Sequence, residues 1–340
     1  MPDSTHSQPD TRTTTDLHAR VYDGVLDMLP SEQNPTPLVR LNALTPPGST
    51  LYAKLEWMNP FGSVKDRAAW AMIRDLEARG ELGDAKPGRG IVEPTSGNTG
   101  FSLAAIASVR GYPARAVMPS KVPTEKRALI RMAGADVDIS SDAMCPLPGS
   151  EDGTIGLART YSRAQSERYV MPNQYENQIN ARAHEETTGP EIWRQTQGKV
   201  SHVFVSLGTC GTVTGISRYL KSKNTNVKII AVQPSPGHDV PGLRNVSELD
   251  VSKLYDPSLI DEILQIDFNL AYTNALKLLQ REGLRAGPSS GLIFEGARII
   301  AARDSVPMGV MIFCDDVFKY VSTMIKHVPE LGGSDAEGGS

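Results

Sequence analysis

The stretch Lys54-Leu55-Glu56-Trp57-Met58-Asn59-Pro60-Phe61-Gly62-Ser63-Val64-Lys65-Asp66-Arg67 decides how this chain is read. A mostly apolar run, Thr50 to Leu55, ends in a turn built on Asn59-Pro60 and Gly62-Ser63. A lysine follows just where the helix-forming residues Ala68 to Met72 begin. Ser63 is the expected N-cap of that helix. A lysine held at a helix start behind a rigid turn can be desolvated and aimed. Only the unprotonated amine attacks a carbonyl, and burial lowers an amine's pKa, so this is the setting a Schiff-base lysine requires. Taken alone, such a lysine is more often a solvated surface charge. The rest of the chain has to supply Lys65 with a chemical partner.

Outward from this stretch, short apolar or β-branched runs alternate with helical ones. Val21 to Leu29 reads as a short helix, and Asn34-Pro35-Thr36-Pro37 forces an extended turn. Expected strands are Leu51 to Leu55, Gly90 to Glu93, Ala114 to Met118, Asp136 to Ile139, Val203 to Leu207, Lys228 to Val232 and Val310 to Phe313. Expected helices are Ala68 to Arg79, Thr99 to Arg110, Thr124 to Ala133, Gly153 to Glu167, Glu185 to Thr196, Val213 to Lys223, Leu270 to Glu282 and Gly291 to Arg303. This alternation argues for an α/β fold of βαβ units with mainly parallel strands, in two sheets at this length. The segment Gly237 to Pro257 has no clear period, and long loops in compact domains are often functional.

Composition excludes several classes. With 340 residues the chain can bury a substantial core. A net charge of -4 offers no general attraction for nucleic acid or an anionic membrane. No apolar run approaches the roughly 18 to 20 residues of a membrane span. Met1 to Arg20 is rich in Ser, Thr and Asp without an apolar segment, and reads as a flexible leader rather than a secretory signal. The three cysteines, Cys145, Cys210 and Cys314, lie far apart, and the six histidines show no ligand spacing. No metal site or disulfide framework is therefore expected, and a cytoplasmic setting fits. The tail from Gly332 to Ser340 is low-complexity and expected to be disordered.

Three polar turns carry the chemistry. Glu93-Pro94-Thr95-Ser96-Gly97-Asn98-Thr99-Gly100 runs from a strand into a helix start, where backbone donors and the dipole favour an anion; Thr95 and Ser96 could equally be ordinary caps. Ser206-Leu207-Gly208-Thr209-Cys210-Gly211-Thr212 repeats the arrangement. Gly208 and Gly211 let backbone approach an anion, and Thr209 and Thr212 add hydroxyl donors. It lacks both the nucleoside-triphosphate loop ending and the dinucleotide spacing. In Gly287-Pro288-Ser289-Ser290-Gly291 a serine hydroxyl serves either a ring nitrogen or a helix cap. One carbonyl-reactive lysine, one phosphate cradle, one carboxylate turn and a spare hydroxyl are together satisfied by pyridoxal phosphate.

The segments Asn59 to Arg67, Glu93 to Gly100, Thr188-Gly189-Pro190-Glu191-Ile192 and Gly287 to Gly291 resemble the cysteine synthase and cystathionine β-synthase family of fold-type-II pyridoxal-phosphate enzymes, in the family's order, from about Asn34 to about Pro329. The resemblance implies two three-layer αβα domains with mainly parallel twisted sheets, as in the tryptophan synthase β-like fold. The implied division is a leader 1–20, a large cofactor-binding domain of 21–66 and 170–329, a small mobile domain 67–169 and a tail 330–340.

It also implies roles. Lys65 matches the lysine that binds the cofactor's aldehyde and later moves the α-proton. Asn98 matches the donor to the phenolic oxygen, and Gly208, Thr209, Cys210, Gly211 and Thr212 match the phosphate cradle, with Cys210 where many members have glycine. Ser289 matches the serine at the pyridine nitrogen. Thr95, Ser96, Gly97 and Thr99, helped by Gln174, match the substrate-carboxylate loop. The implied activity is β-replacement on O-phosphoserine or O-acetylserine through an aminoacrylate, giving L-cysteine. The sulfur arrives as sulfide or on a carrier protein, and the enzyme is a homodimer. Leu243-Arg244-Asn245 resembles members that take O-phosphoserine, where the arginine faces the phosphate, a task its bidentate fork suits. The alternatives are serine plus homocysteine, as in cystathionine β-synthase, or an amine nucleophile on the same intermediate. A non-catalytic scaffold is disfavoured by the intact Lys65 and anion loops.

Overall fold

A computed structural model describes residues 20–142 and 151–333; most of the expected leader and tail, and Cys145, lie outside them. The strands are β1 (Leu38–Arg40), β2 (Leu51–Leu55), β3 (Gly90–Pro94), β4 (Ala114–Pro119), β5 (Asp136–Ser140), β6 (Tyr169–Val170), β7 (His202–Ser206), β8 (Lys228–Pro234), β9 (Glu262–Ile266) and β10 (Gly309–Phe313). They form two sheets, one of six strands in the order β1-β2-β10-β7-β8-β9 and one of four in the order β5-β4-β3-β6. Every pairing is parallel except β1 against β2.

The parallel sheets follow from the runs that form them. β3 and β10 are buried along their whole length, β7 and β8 in all but the first residue, as expected where helices cover both faces. The helices are α1 (Lys65–Ala78), α2 (Asn98–Arg110), α3 (Thr124–Met132), α4 (Thr154–Ala164), α5 (Gln178–Ala183), α6 (Gly189–Gln195), α7 (Gly211–Lys223), α8 (Asn269–Glu282), α9 (Pro288–Arg303) and α10 (Val321–His327).

Several expectations are corrected. The first expected helix is a single 3₁₀ turn, Val25–Met28. The helix expected from Glu185 begins seven residues earlier, at Gln178, where Asn177 caps it through Ile179 N–H at 3.0 Å. It continues through a π-helical turn, His184–Thr188, into α6. Strands β1, β6 and β9 were not expected. Two have only three and two residues, and β9 is a half-exposed edge strand rather than an apolar run.

The π turn lies where α7 crosses unusually close. A Cβ on Gly215 would fall 2.1 Å from Ala181 O and 2.7 Å from His184 Cβ, so only glycine allows the approach. Gly215→Ala is therefore expected to push α7 outward and destabilise the protein by about 1–3 kcal/mol in urea unfolding. A variant as stable as wild type would mean that the two helices are not in contact there.

Candidate active site

The C-terminal ends of β3, β7 and β10 face one cleft between the two sheets, the usual position of a ligand in parallel α/β folds. The cleft is partly open to solvent. Lys65, Thr95, Ser96, Gly97, Asn98, Thr99, Gln174, Gly208, Thr209, Cys210, Thr212, Arg244 and Ser289 all line it. Residues more than 200 positions apart in sequence thus meet as expected. Gly211 stands behind the wall, where a Cβ would lie 2.2 Å from Asn180 Oδ1.

Lys65 is the first residue of α1, three positions earlier than the sequence suggested. Ser63 is not the N-cap expected of it: that position is Val64, and the Ser63 hydroxyl accepts the Lys65 N–H at 3.2 Å from one residue before it. The turn is held from two sides. Fully buried Asp66 accepts Phe61 N–H at 2.7 Å and the Ser102 hydroxyl of α2 at 2.6 Å; burial nevertheless pushes its carboxyl up to about 6. Below it, Arg67 donates to Glu56 at 2.7 and 2.9 Å and to Glu191 at 2.6 and 2.8 Å. Lys65 Nζ makes no hydrogen bond or ion pair among the described residues, and so faces the cleft as an available amine.

The first polar turn shows the capping that its sequence allowed. Thr95 Oγ1 accepts the N–H groups of Gly97 at 3.2 Å and Gly100 at 3.0 Å, which is capping. Thr99 instead donates to Gln174 Oε1 at 2.6 Å, and Gln174 Nε2 donates to Pro94 O at 2.9 Å, joining the turn to Gln174. Behind them, buried Glu93 accepts the N–H groups of Asn173 and Gln174 at 2.8 and 2.9 Å. Burial raises its carboxyl to about 8 against the pull of those donors.

The second turn stands at the N-terminus of α7. Gly208 could not carry a side chain, since a Cβ would meet Gly242 O at 2.8 Å, and Gly211 is closed off by Asn180. Thr209 and Thr212 place hydroxyls on the wall. His184, from the π turn, lies 3.2 Å from Thr212 Oγ1 and 2.9 Å from Thr188 Oγ1. Burial, then Arg67 and Lys65, lower its pKa to about 3, so it supports the cradle as a neutral ring. Cys210 adopts φ 66, the left-handed region that favours glycine. Its thiol is pushed up to about 12 by burial, which rules it out as a nucleophile at neutral pH. At the far end, Ser289 opens α9 with a hydroxyl that has no partner among the described residues.

Arg244 is not the solvated loop residue its context allowed. It is 4% exposed, with its guanidinium 5.5 Å from the Tyr175 ring centroid and a bond to Glu248 O at 3.3 Å. Asn245 and Glu248 form a capping box on the next 3₁₀ turn, which fixes the aperiodic loop. Sequence reasoning missed Asp315, Tyr320 and Lys126, which also line the cleft. Asp315 carried a usable signal, since it comes two residues after the wholly buried strand β10, where such folds place ligand residues.

The donor set fits pyridoxal phosphate: a glycine-threonine turn at a helix N-terminus, an uncommitted amine and an uncommitted hydroxyl stand around one cavity. Comparison with known proteins agrees. Residues 29–315 match the family described as pyridoxal-phosphate dependent enzyme. The chain is 42% identical over 291 residues to cysteine synthase B of Salmonella typhimurium, covering 85% of this chain and 92% of that protein. It is 39% identical over 289 residues to cysteine synthase B of Escherichia coli, with the same coverage. Among solved structures it is similar to an O-ureido-L-serine synthase, with a TM-score of 0.82 and 32% identity, covering 93% of this chain and 98% of that one.

The strain at Cys210 yields a direct test. Cys210→Gly is expected to change stability by less than about 1 kcal/mol and to leave cofactor retention intact, because relief of the left-handed backbone offsets the lost thiol packing. Cys210→Val, β-branched at that φ, is expected to lose about 1–3 kcal/mol and to release cofactor during gel filtration.

Proposed function

Because the chain belongs to the pyridoxal-phosphate dependent enzyme family, we propose that it makes L-cysteine by β-replacement, exchanging the oxygen substituent of an activated L-serine for sulfur. The carrying observation is Lys65, whose unpaired amine shares one cleft with the glycine-threonine cradle, the Thr95 to Thr99 turn and Ser289. When bound, the cofactor supplies a carbonyl for the amine and an electron sink for charge at the substrate α-carbon.

In this reading Gly208 to Thr212 hold the phosphate, and Asn98 and Ser289 meet the ring edge. Lys65 Nζ takes the proton from the substrate α-carbon and returns it at the end of the cycle. Thr95, Ser96, Gly97 and Thr99, with Gln174, receive the substrate carboxylate and exclude water from the reacting carbon. Arg244 faces the departing substituent, and its burial beside the cleft favours O-phosphoserine over O-acetylserine, since a buried guanidinium gains most from a doubly charged partner. The large unit, 21–66 with 170–329, carries the cofactor, and the small unit, 67–169, carries the carboxylate turn. Sulfide or a carrier-bound sulfur serves as nucleophile, and the enzyme works as a cytoplasmic homodimer. Likeness to the O-ureido-L-serine synthase supports a second reading, in which a non-sulfur nucleophile attacks the same carbon.

Lys65→Ala should lower β-replacement by about 10³-fold or more while leaving the circular dichroism spectrum unchanged. Appreciable residual turnover would refute the lysine assignment. Arg244→Ala should cut kcat/KM for O-phosphoserine by about 10- to 100-fold and for O-acetylserine by less than about threefold. Equal losses on the two donors would remove the phosphate role.

A further inference from the structure

Asn98, the first residue of α2, lines the cleft with both ends of its amide engaged by protein. Nδ2 donates to Asp315 Oδ2 at 2.6 Å. Nδ2 also donates, at 3.4 Å, to the Tyr320 hydroxyl, which in turn donates to that same carboxylate oxygen. On the opposite end, Lys319 Nζ donates to Asn98 Oδ1 at 3.3 Å. An amide turned end for end would set its oxygen against a carboxylate and its NH₂ against an ammonium. Two contacts of opposite charge therefore fix which end is which, and the long bond to Tyr320 is the one that a ligand acceptor would replace.

The clamp is itself anchored. Lys319 Nζ also donates to Phe61 O at 3.2 Å and Gly62 O at 2.9 Å, in the turn that precedes Lys65. Asp315 is buried in a space that Gly287 leaves open, for a Cβ on Gly287 would fall 2.2 Å from Asp315 Oδ1. That Oδ1 has no hydrogen-bond partner among the described residues. A buried carboxyl kept with one oxygen unmatched is costly, and the cost needs a return beyond packing.

We propose that Asp315 and Lys319 are positioning residues that act through Asn98, holding its amide as a one-way donor so that the ligand group beside it must be a hydrogen-bond acceptor. This rests on the reading of the cleft as the pyridoxal-phosphate site, where that acceptor is the cofactor's phenolic oxygen. Electrostatic orientation of one amide then sets the hydrogen bond at the ring edge, and with it the electronic state of the bound ring.

The test uses the full-length, cofactor-loaded protein without substrate, reading the absorption maximum of the bound cofactor and its dissociation constant by equilibrium dialysis. Asp315→Ala and Lys319→Met should each shift the absorption maximum in the direction produced by Asn98→Ala, and weaken retention by about 3- to 10-fold, the scale of one hydrogen bond. Asp315→Asn, whose oxygen still accepts, should restore both readouts. Lys319→Met keeps the test decisive if Asp315→Ala does not fold. Wild-type spectra and retention in the folded Asp315 and Lys319 variants, against an altered Asn98→Ala, would overturn the clamp alone. An unaltered Asn98→Ala would overturn the placement of the cofactor edge as well.

Discussion

The buried charge cluster around Arg67 is the constraint on which the rest of this structure depends. Lys54 from β2, Glu56 just after it, Arg67 from α1 and Glu191 from α6 are all buried, two cations against two anions. Lys54 Nζ contacts Glu191 at 2.6 Å and Thr36 O at 2.8 Å, and Thr36 donates to Glu56 at 2.8 Å. Burying four charges costs several kcal/mol per ion, and only dense hydrogen bonding of the kind seen here offsets it. Burial would raise the Glu56 carboxyl, but Arg67, Lys54 and Thr36 together outweigh it and hold the group at about 2 instead of 4.5. A depressed carboxyl contributes stability that is complete above its ordinary value and is lost as pH falls toward 2. The cluster thus ties a strand, a turn and two helices into one register at neutral pH, with Lys65 two residues from its centre.

The reactive amine depends on this rigidity. Arg67 pins the first turn of α1 from below, Asp66 ties it to α2 of the four-stranded sheet, and Lys319 reaches it from beyond β10. The turn Asn59 to Val64 is therefore fixed from three directions, and Lys65 Nζ is left as the uncommitted group. Where the neighbouring charges are all mutually satisfied, a single free amine is chemically distinct from them.

Much of this was legible in the sequence, because it follows from local chemistry. The strands β2, β3, β4, β5, β7, β8 and β10 announce themselves as apolar or β-branched runs, and two of the three glycine-bearing turns follow strands, β3 and β7, while all three reach the one cleft. What was not legible depends on distant partners. β9 is half exposed, and β6 is held by pairing Tyr169 with Gly90 of β3. Arg244 has the sequence context of a surface residue and is buried only because Tyr175 and the Glu248 turn close over it. Asp315 reads as one of two aspartates after a strand until Asn98 and Tyr320, from other parts of the chain, meet it.

The π turn at His184–Thr188 has a consequence for chain length. A helix residue advances about 100° around the axis, so one extra residue wound regularly would rotate everything after it, whereas a wide turn absorbs it. Here His184 before the end of that turn meets Thr212 of the cradle, while Glu191 after it meets Arg67. A regular helix over the same residues would present one of these side chains correctly and swing the other away by more than a quarter-turn. The bulge thus takes up one surplus residue without changing the faces its two ends present, and regular winding at the same chain length would uncouple Thr212 from His184 or Arg67 from Glu191 without changing any of them.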